Sequence, residues 1–283
     1  MLHGARLNQL LAWDKEGKCG MGKVLIVENL CKDQILDRVS FQMEPGEMLA
    51  VMGPSGSGKS TLLYNAAGMD QPSGGRVWLE GQELTSLSED EKAFLRLHSM
   101  GFVFQQMNMM ANLNILDNIL LPALQANKDR RPACQNGTGL AQFCRPRKTK
   151  AELTMEAGRL MQKMSISGLE ERRITQVSGG QLQRACICRS MINAPRILFA
   201  DEPTGALNKS AAREVMGELV RLNREGTAIL MVTHDSKVAS NCHRILYLLD
   251  GRICGELKMG KPAEGTEKQR EEKVNRWLSE MGW

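Results

Sequence analysis

Apolar residues along this chain follow two rhythms. Short continuous runs read as strands buried on both faces: 48–52, 196–202 and 227–233. Residues 36–43 alternate instead, with Val39, Phe41 and Met43 on one face. Residues 24–30, 76–80 and 100–104 also read as strands, and 244–249 and 252–257 flank Asp250-Gly251 as a hairpin. Between them the period changes to that of a helix. Over 151–164, Leu153, Ala157, Leu160, Met161 and Met164 share a face, and over 268–281 Val274, Trp277, Leu278 and Met281 do. Ser88 and Glu91 have the spacing of a capping box and open a helix to about Leu97. Helices are also expected over 114–124, 178–192 and 210–224.

One junction in this pattern carries chemistry directly. The buried strand 48–52 runs into Gly53, Pro54, Ser55, Gly56, Ser57, Gly58, Lys59, Ser60 and Thr61, and a helix follows. This fits G-x-x-x-x-G-K-[ST]. Glycines let successive backbone N–H groups turn inward on phosphate oxygens. Lys59 adds a point charge for the β- and γ-phosphates, and the Ser60 hydroxyl suits Mg²⁺. A Gly/Ser-rich surface turn would leave the apolar strand before it unexplained.

Composition narrows the class. A hydrophobic share of 42% and a charged share of 24% are those of an ordinary globular protein. No apolar run approaches the ~18 residues that span a bilayer. Residues 1–22 read as a polar extension, because the apolar patch at 10–13 meets Asp14, Lys15 and Glu16 at once. The 8 cysteines form no C-x-x-C pair and no zinc spacing, so reduced thiols are expected. Lys128, Arg130, Arg131, Arg145, Arg147, Lys148 and Lys150 face only Asp129, more than the formal +5 of the whole chain. Such a stretch can meet anionic lipid or nucleic acid. Without aromatic interleaving it reads as a solvated loop, and no nucleic-acid partner is expected.

Four further features refine the chemistry. An apolar strand ends in Asp201-Glu202, where Asp201 can hold Mg²⁺ and Glu202 can polarise an attacking water. Gln105 follows a strand, and so does His234; each alone is a weak signal, more often structural. Ser178, Gly179, Gly180 and Gln181 open a helix, a second anion-binding terminus far from Lys59 in sequence.

These motifs, in this order, resemble those of the ATP-binding subunits of ABC transporters along residues 23–283. Gly53 to Ser60 resembles Walker A, Gln105 the Q-loop glutamine and 177–181 the signature. Residues 197–202 resemble Walker B with the catalytic glutamate, 205–208 the D-loop, and His234 the switch histidine. Asp201 to Leu207 and Val232 to Asp235 resemble the macrolide-export and lipoprotein-release branch. Asn208 and the run from Arg270 to Leu278 resemble its bacitracin-resistance members.

The resemblance implies an α/β fold of the P-loop NTPase type: a RecA-like core, an antiparallel β subdomain and a helical arm. The expected organisation is an extension over 1–22, an ATPase domain over 23–263 and an amphipathic helix over 264–283. Within the domain, 23–105 and 179–263 form the core, and 106–178 the arm with a basic insertion at 127–148. ATP and Mg²⁺ are the expected cofactors, with Ser60, Gln105 and Asp201 as metal ligands and Glu202, His234 and Gln105 as catalytic residues. A second copy of the chain and a separate transmembrane permease are the expected partners, placing the protein on the cytoplasmic face of the membrane. Three departures stand out. The connection between the first two strands, 31–34, holds no adenine-stacking aromatic, which implies weaker ATP binding unless Trp13 replaces it. Asn208 stands where the family usually has Asp, and Val177 where it usually has Leu.

Overall fold

All five residues of β3 (Met48–Met52) are buried, as are all five of β7 (Ile197–Asp201) and of β8 (Ala228–Val232). Strands this apolar need cover on both faces, and helices supply it. The structure is a computed structural model that describes residues 22–129 and 140–283. The extension over 1–21, with Trp13, and residues 130–139 of the basic stretch lie outside the described residues.

The larger sheet has six strands in the order β10-β9-β3-β8-β7-β6, including β6 (Met100–Val103), β9 (Arg244–Leu249) and β10 (Arg252–Lys258). All neighbours are parallel except the β9–β10 hairpin at one edge. The carboxyl ends of β3, β7 and β8 therefore open on the same side, where open α/β sheets bind ligands. A second sheet is antiparallel, in the order β2-β1-β4-β5: β1 (Leu25–Lys32), β2 (Leu36–Met43), β4 (Gly74–Leu79) and β5 (Gln82–Glu83). Its alternating apolar positions, Leu25, Val27, Val39 and Phe41 among them, pack with α1 (Lys59–Ala66) over one face of the large sheet. The second core, on the opposite face, joins α3 (Ile115–Lys128), α4 (Lys150–Lys163), α5 (Gly179–Met191), α6 (Lys209–Arg224) and α8 (Glu267–Glu280). Two further α-helices are α2 (Glu89–Ser99) and the short α7 (Ser236–Ala239).

Helix starts follow their caps. Ser88 with Glu91, Thr149 with Glu152 and Ser178 with Gln181 each form a reciprocal capping box. Asn208 caps α6, its side chain accepting from Ala211 N at 2.9 Å. Asn serves this position as well as Asp does, so the departure at 208 has a local structural role.

Two expectations need correction. The stretch 127–148 is not wholly a solvated loop: Leu140 and Phe143 are buried in the core beside α2. Arg145 is exposed but tied down, donating to the carbonyls of His98 and Ala194; desolvation holds its pKa below the ordinary value. Free thiols are found at Cys31, Cys186, Cys188, Cys242 and Cys254, but Cys144 is disulfide-bonded.

Helix α8 is polar overall and lacks a side-chain cap at its start, so packing holds it. Val274 and Leu278 are buried, each worth roughly 1.5–3 kcal/mol. A Cβ on Gly255 would lie 2.8 Å from Met281 Sδ and 3.0 Å from Trp277 Cζ2, so only glycine lets the helix approach β10 this closely. At its first turn, Arg270 donates to the carbonyls of Ser240, Cys242, Met259 and Gly260.

Candidate functional site

The chain leaves β3 through Gly53 and re-enters regular structure at Lys59. Gly56 (φ 81°) and Gly58 (φ 96°) take left-handed backbone that side-chain-bearing residues avoid. At Gly58 space is also denied, because a Cβ would lie 3.0 Å from Leu36 Cδ2. The loop borders a cavity of about 980 Å³, and glycine-rich winding of this kind presents backbone amides to an anion. Gly53, Pro54, Ser55, Gly56, Gly58, Lys59, Ser60 and Thr61 line it, with Glu202 and His234. Ser57 stays beneath the loop, buried, with no partner for its hydroxyl among the described residues.

Lys59 is buried and held in place by its own loop, donating to Gly53 O at 2.9 Å and Pro54 O at 2.7 Å. Two of its three donors are thus used. Burial lowers its pKa, and the charges of Glu202 and Asp201 oppose that shift. Ser60 Oγ donates to Asp201 Oδ1 at 3.0 Å, bringing the end of β7 against the first turn of α1. Tyr64 OH donates to the other oxygen, Oδ2, at 2.7 Å. Burial, then the Asp201 hydrogen bond, pushes the Tyr64 phenol up to about 12. Sequence reasoning missed Tyr64. Its signal was spacing: on α1 it lies four residues after Ser60, on the same face.

Glu202 sits one residue past β7 with φ 45°, a strained conformation costing roughly 1–3 kcal/mol. Its backbone is pinned on both sides, the N–H donating to Val232 O at 3.0 Å and the carbonyl accepting from Gly205 N at 3.0 Å. The pinning turns its carboxylate to His234, whose Nδ1 is 3.0 Å from Oε1. His234 follows β8 because Thr233 still pairs with Val51 O, while Asp235 turns away to cap α7 through the amides of Lys237 and Val238. The parallel register, Asp201 beside Val232, brings Glu202 and His234 to adjacent strand ends.

Gln105 lies in the same neighbourhood. A Cβ on Gly205 would stand 3.1 Å from Glu202 Oε2 and 3.5 Å from Gln105 Nε2, so both side chains converge on that residue. Ser178, Gly179, Gly180 and Gln181 do not join the cavity lining. Ser178 and Gly179 are exposed. Ser178 Oγ accepts from Gln181 N at 3.3 Å and Gln181 Oε1 accepts from Ser178 N at 2.8 Å. Gly180 is buried against α6, where a Cβ would meet that of Ala211 at 2.8 Å.

The donor set fits a nucleoside triphosphate: loop amides, one buried ammonium and an acid–imidazole pair beside them. Ser60 and Asp201 offer hard oxygen ligands suited to a small divalent cation. Fold and loop together define a P-loop nucleotide-binding protein.

Comparison with known proteins agrees. The chain belongs to the ABC transporter family, whose model matches residues 36–205. It is 35% identical over 241 residues to the lipoprotein-releasing system ATP-binding protein LolD of Aquifex aeolicus, spanning 84% of this chain and 99% of that protein. It is 37% identical over 238 residues to the bacitracin export ATP-binding protein BceA of Halalkalibacterium halodurans, spanning 84% and 86%. Against the macrolide export ATP-binding/permease protein MacB of Escherichia coli it is 39% identical, spanning 78% of this chain but only 31% of MacB. The dimeric structure of the bacterial ABC transporter cassette MJ0796 superposes with a TM-score of 0.71 at 33% identity, covering 83% of this chain and 98% of that one. Its post-hydrolysis state bound to ADP and Pi gives a TM-score of 0.68.

Proposed function

We propose that this chain hydrolyses ATP as the motor of a transporter, working as a pair of copies on a separate membrane permease. The observation that carries this reading is the convergence of Ser60, Asp201, Glu202 and His234 at the phosphate loop, while the anion-binding start of α5 stays outside the cavity. One copy thus holds half of each site. Two copies facing head to tail would bring Ser178–Gln181 of one onto the γ-phosphate gripped by Lys59 of the other. No helix of the described residues is long and apolar enough to cross a membrane, which suits a chain that acts on a permease from the membrane's cytoplasmic face.

Residue roles follow from position. The loop amides and Lys59 neutralise and orient the triphosphate. Glu202 takes the proton as water attacks the γ-phosphorus and the bond to the ADP oxygen breaks. His234, hydrogen-bonded to Glu202, aims that carboxylate and can reach the γ-phosphate. Mg²⁺, held by Ser60 and Asp201 with Gln105 nearby, would supply charge neutralisation across the phosphates.

The likeness to BceA favours antimicrobial-peptide export as the work done. The near-complete coverage of LolD favours a second reading, lipoprotein release or another ATP-driven task that exports no drug. The phosphate chemistry is the same in both, because the cargo is chosen by the permease. ATPase activity rising more steeply than linearly with protein concentration, and lost in Glu202→Gln, is the expected result. Linear, Glu202-independent hydrolysis would overturn the motor reading. The identity of the membrane permease that co-purifies with this chain, and that permease's cargo, separates the two tasks.

A further inference from the structure

The cavity lining is of two chemical kinds. One is the phosphate loop with its charged groups. The other is apolar: Ile35, Tyr247, Leu249, Met281 and Trp283. Among the described residues, six large hydrophobic side chains are exposed, and two of them, Ile35 (42%) and Trp283 (47%), line this one cavity. An exposed apolar wall beside charged groups in one pocket marks where a ligand's apolar part belongs.

The connection from β1 to β2 cannot supply an aromatic platform. It is a tight turn over Asp33 and Gln34, closed by Ile35 N donating to Lys32 O at 2.9 Å, with Gln34 at φ 61°. Its contribution to the cavity is the aliphatic Ile35.

Among the described residues Trp283 is the exposed aromatic that lines the cavity, and its backbone is fixed. Helix α8 ends in a Schellman motif: Gly282, at φ 84°, donates to Ser279 O at 3.2 Å, and Trp283 N donates to Leu278 O at 3.0 Å. Its ring lies 6.1 Å from that of the buried Tyr247, at 72°. Trp277 already covers Tyr247 from within the helix, at 6.2 Å and 81°. The Tyr247 contact therefore does not by itself account for a second indole, which remains half-exposed at the cavity.

We propose that Trp283 stacks on the base of the bound nucleotide, with Ile35 as the second apolar wall of the base slot. The inference rests on the cavity being the nucleotide site. It removes the expectation of weak ATP binding drawn from the aromatic-free β1–β2 turn. The platform comes from the end of α8, remote in sequence and brought in by the packing of that helix on β9 and β10.

The test is calorimetric titration of the full chain with a non-hydrolysable ATP analogue and, separately, with Mg-tripolyphosphate, which has no base. Trp283→Ala should raise the Kd for the analogue by roughly 5- to 100-fold, the range of base–aromatic stacking. It should leave the Kd for tripolyphosphate within about twofold. Trp283→Phe should recover most of the loss. An unchanged Kd for the analogue, or equal losses for both ligands, would overturn the proposal. Retained tripolyphosphate binding reports that the variant is folded. Wild-type chain that bound neither ligand would remove the nucleotide-site reading itself, a failure distinct from that of Trp283.

Discussion

Two helices of this molecule begin with glycine and serine, and they are prepared for anions in opposite ways. Helix α1 starts from Gly58, whose left-handed backbone offers no side-chain cap. Lys59, Ser60 and Thr61 border the cavity, with nothing of the helix's own to occupy their amides. Helix α5 starts from Ser178, which answers the amide of Gln181 while Gln181 answers the amide of Ser178. Only Gly179 and Gly180 have amides left over, and Gly179 stands on the surface away from the cavity. The first terminus is a finished cradle. The second is a stable helix end that can accept an anion brought to it. A site made from both must be closed by a second chain.

That difference can be broken from either side. The largest effect is expected at the pair both termini serve. Glu202→Gln should lower kcat by at least about 10²-fold while keeping ATP binding. Gel filtration with ATP should then show a persistent dimer, and a monomer would contradict head-to-tail closure. Next come the termini themselves. Lys59→Ala should weaken ATP binding in the single chain by roughly 10- to 100-fold, the loss of charge-assisted hydrogen bonds. Gly179→Asp should leave that binding intact, because its Cβ meets only Leu207 Cδ2 at an ordinary 3.6 Å, yet abolish dimerisation and turnover. Mixing the two inactive variants should restore ATPase activity, since one of the two sites then has both an intact loop and an intact α5 start. No recovery would mean that each chain uses its own α5.

Smaller effects test the loop alone. The burial-lowered pKa of Lys59 means that its charge is lost at lower pH than that of an ordinary lysine, whose value is 10.5. The alkaline limb of kcat/KM for ATP should therefore fall below pH 10.5, and Lys59→Arg should move it upward. Tyr64→Phe should cost about 1 kcal/mol, read as a several-fold rise in the Mg²⁺ concentration for half-maximal activity. An unchanged Mg²⁺ requirement would assign Tyr64 to packing.

How much of this was legible in the sequence varies with distance along the chain. The bounds of β2 and β3 coincide with their apolar patterns because strand burial is written residue by residue. The phosphate loop, Asp201, Glu202 and His234 were readable because each lies at the end of such a strand, and parallel strands bring their ends together. Leu140 and Phe143 were not readable. They are two isolated apolar residues in a polar stretch, and only the core beside α2 gives them a place. Strand β5 is too short, and α7 owes its start to Asp235, for any periodicity to announce them. The apolar lining of the cavity was least legible. Ile35, Tyr247 and Trp283 share no local pattern; they meet because β9 pairs with β3 and α8 packs on the hairpin edge.

The attachment of α8 has a consequence of leverage. Arg270 pins the first turn of this 14-residue helix to four carbonyls, and Trp283 stands just past its other end. A helix of that length spans about 21 Å. A pivot of about 5° at the Arg270 end would swing the far end by about 2 Å, more than half the ~3.5 Å contact distance between stacked carbon atoms. Lysine could keep the charge but not the planar fork that grips several carbonyls at once. The hold of one guanidinium at the helix start is thus magnified at the opposite end, where the cavity wall stands.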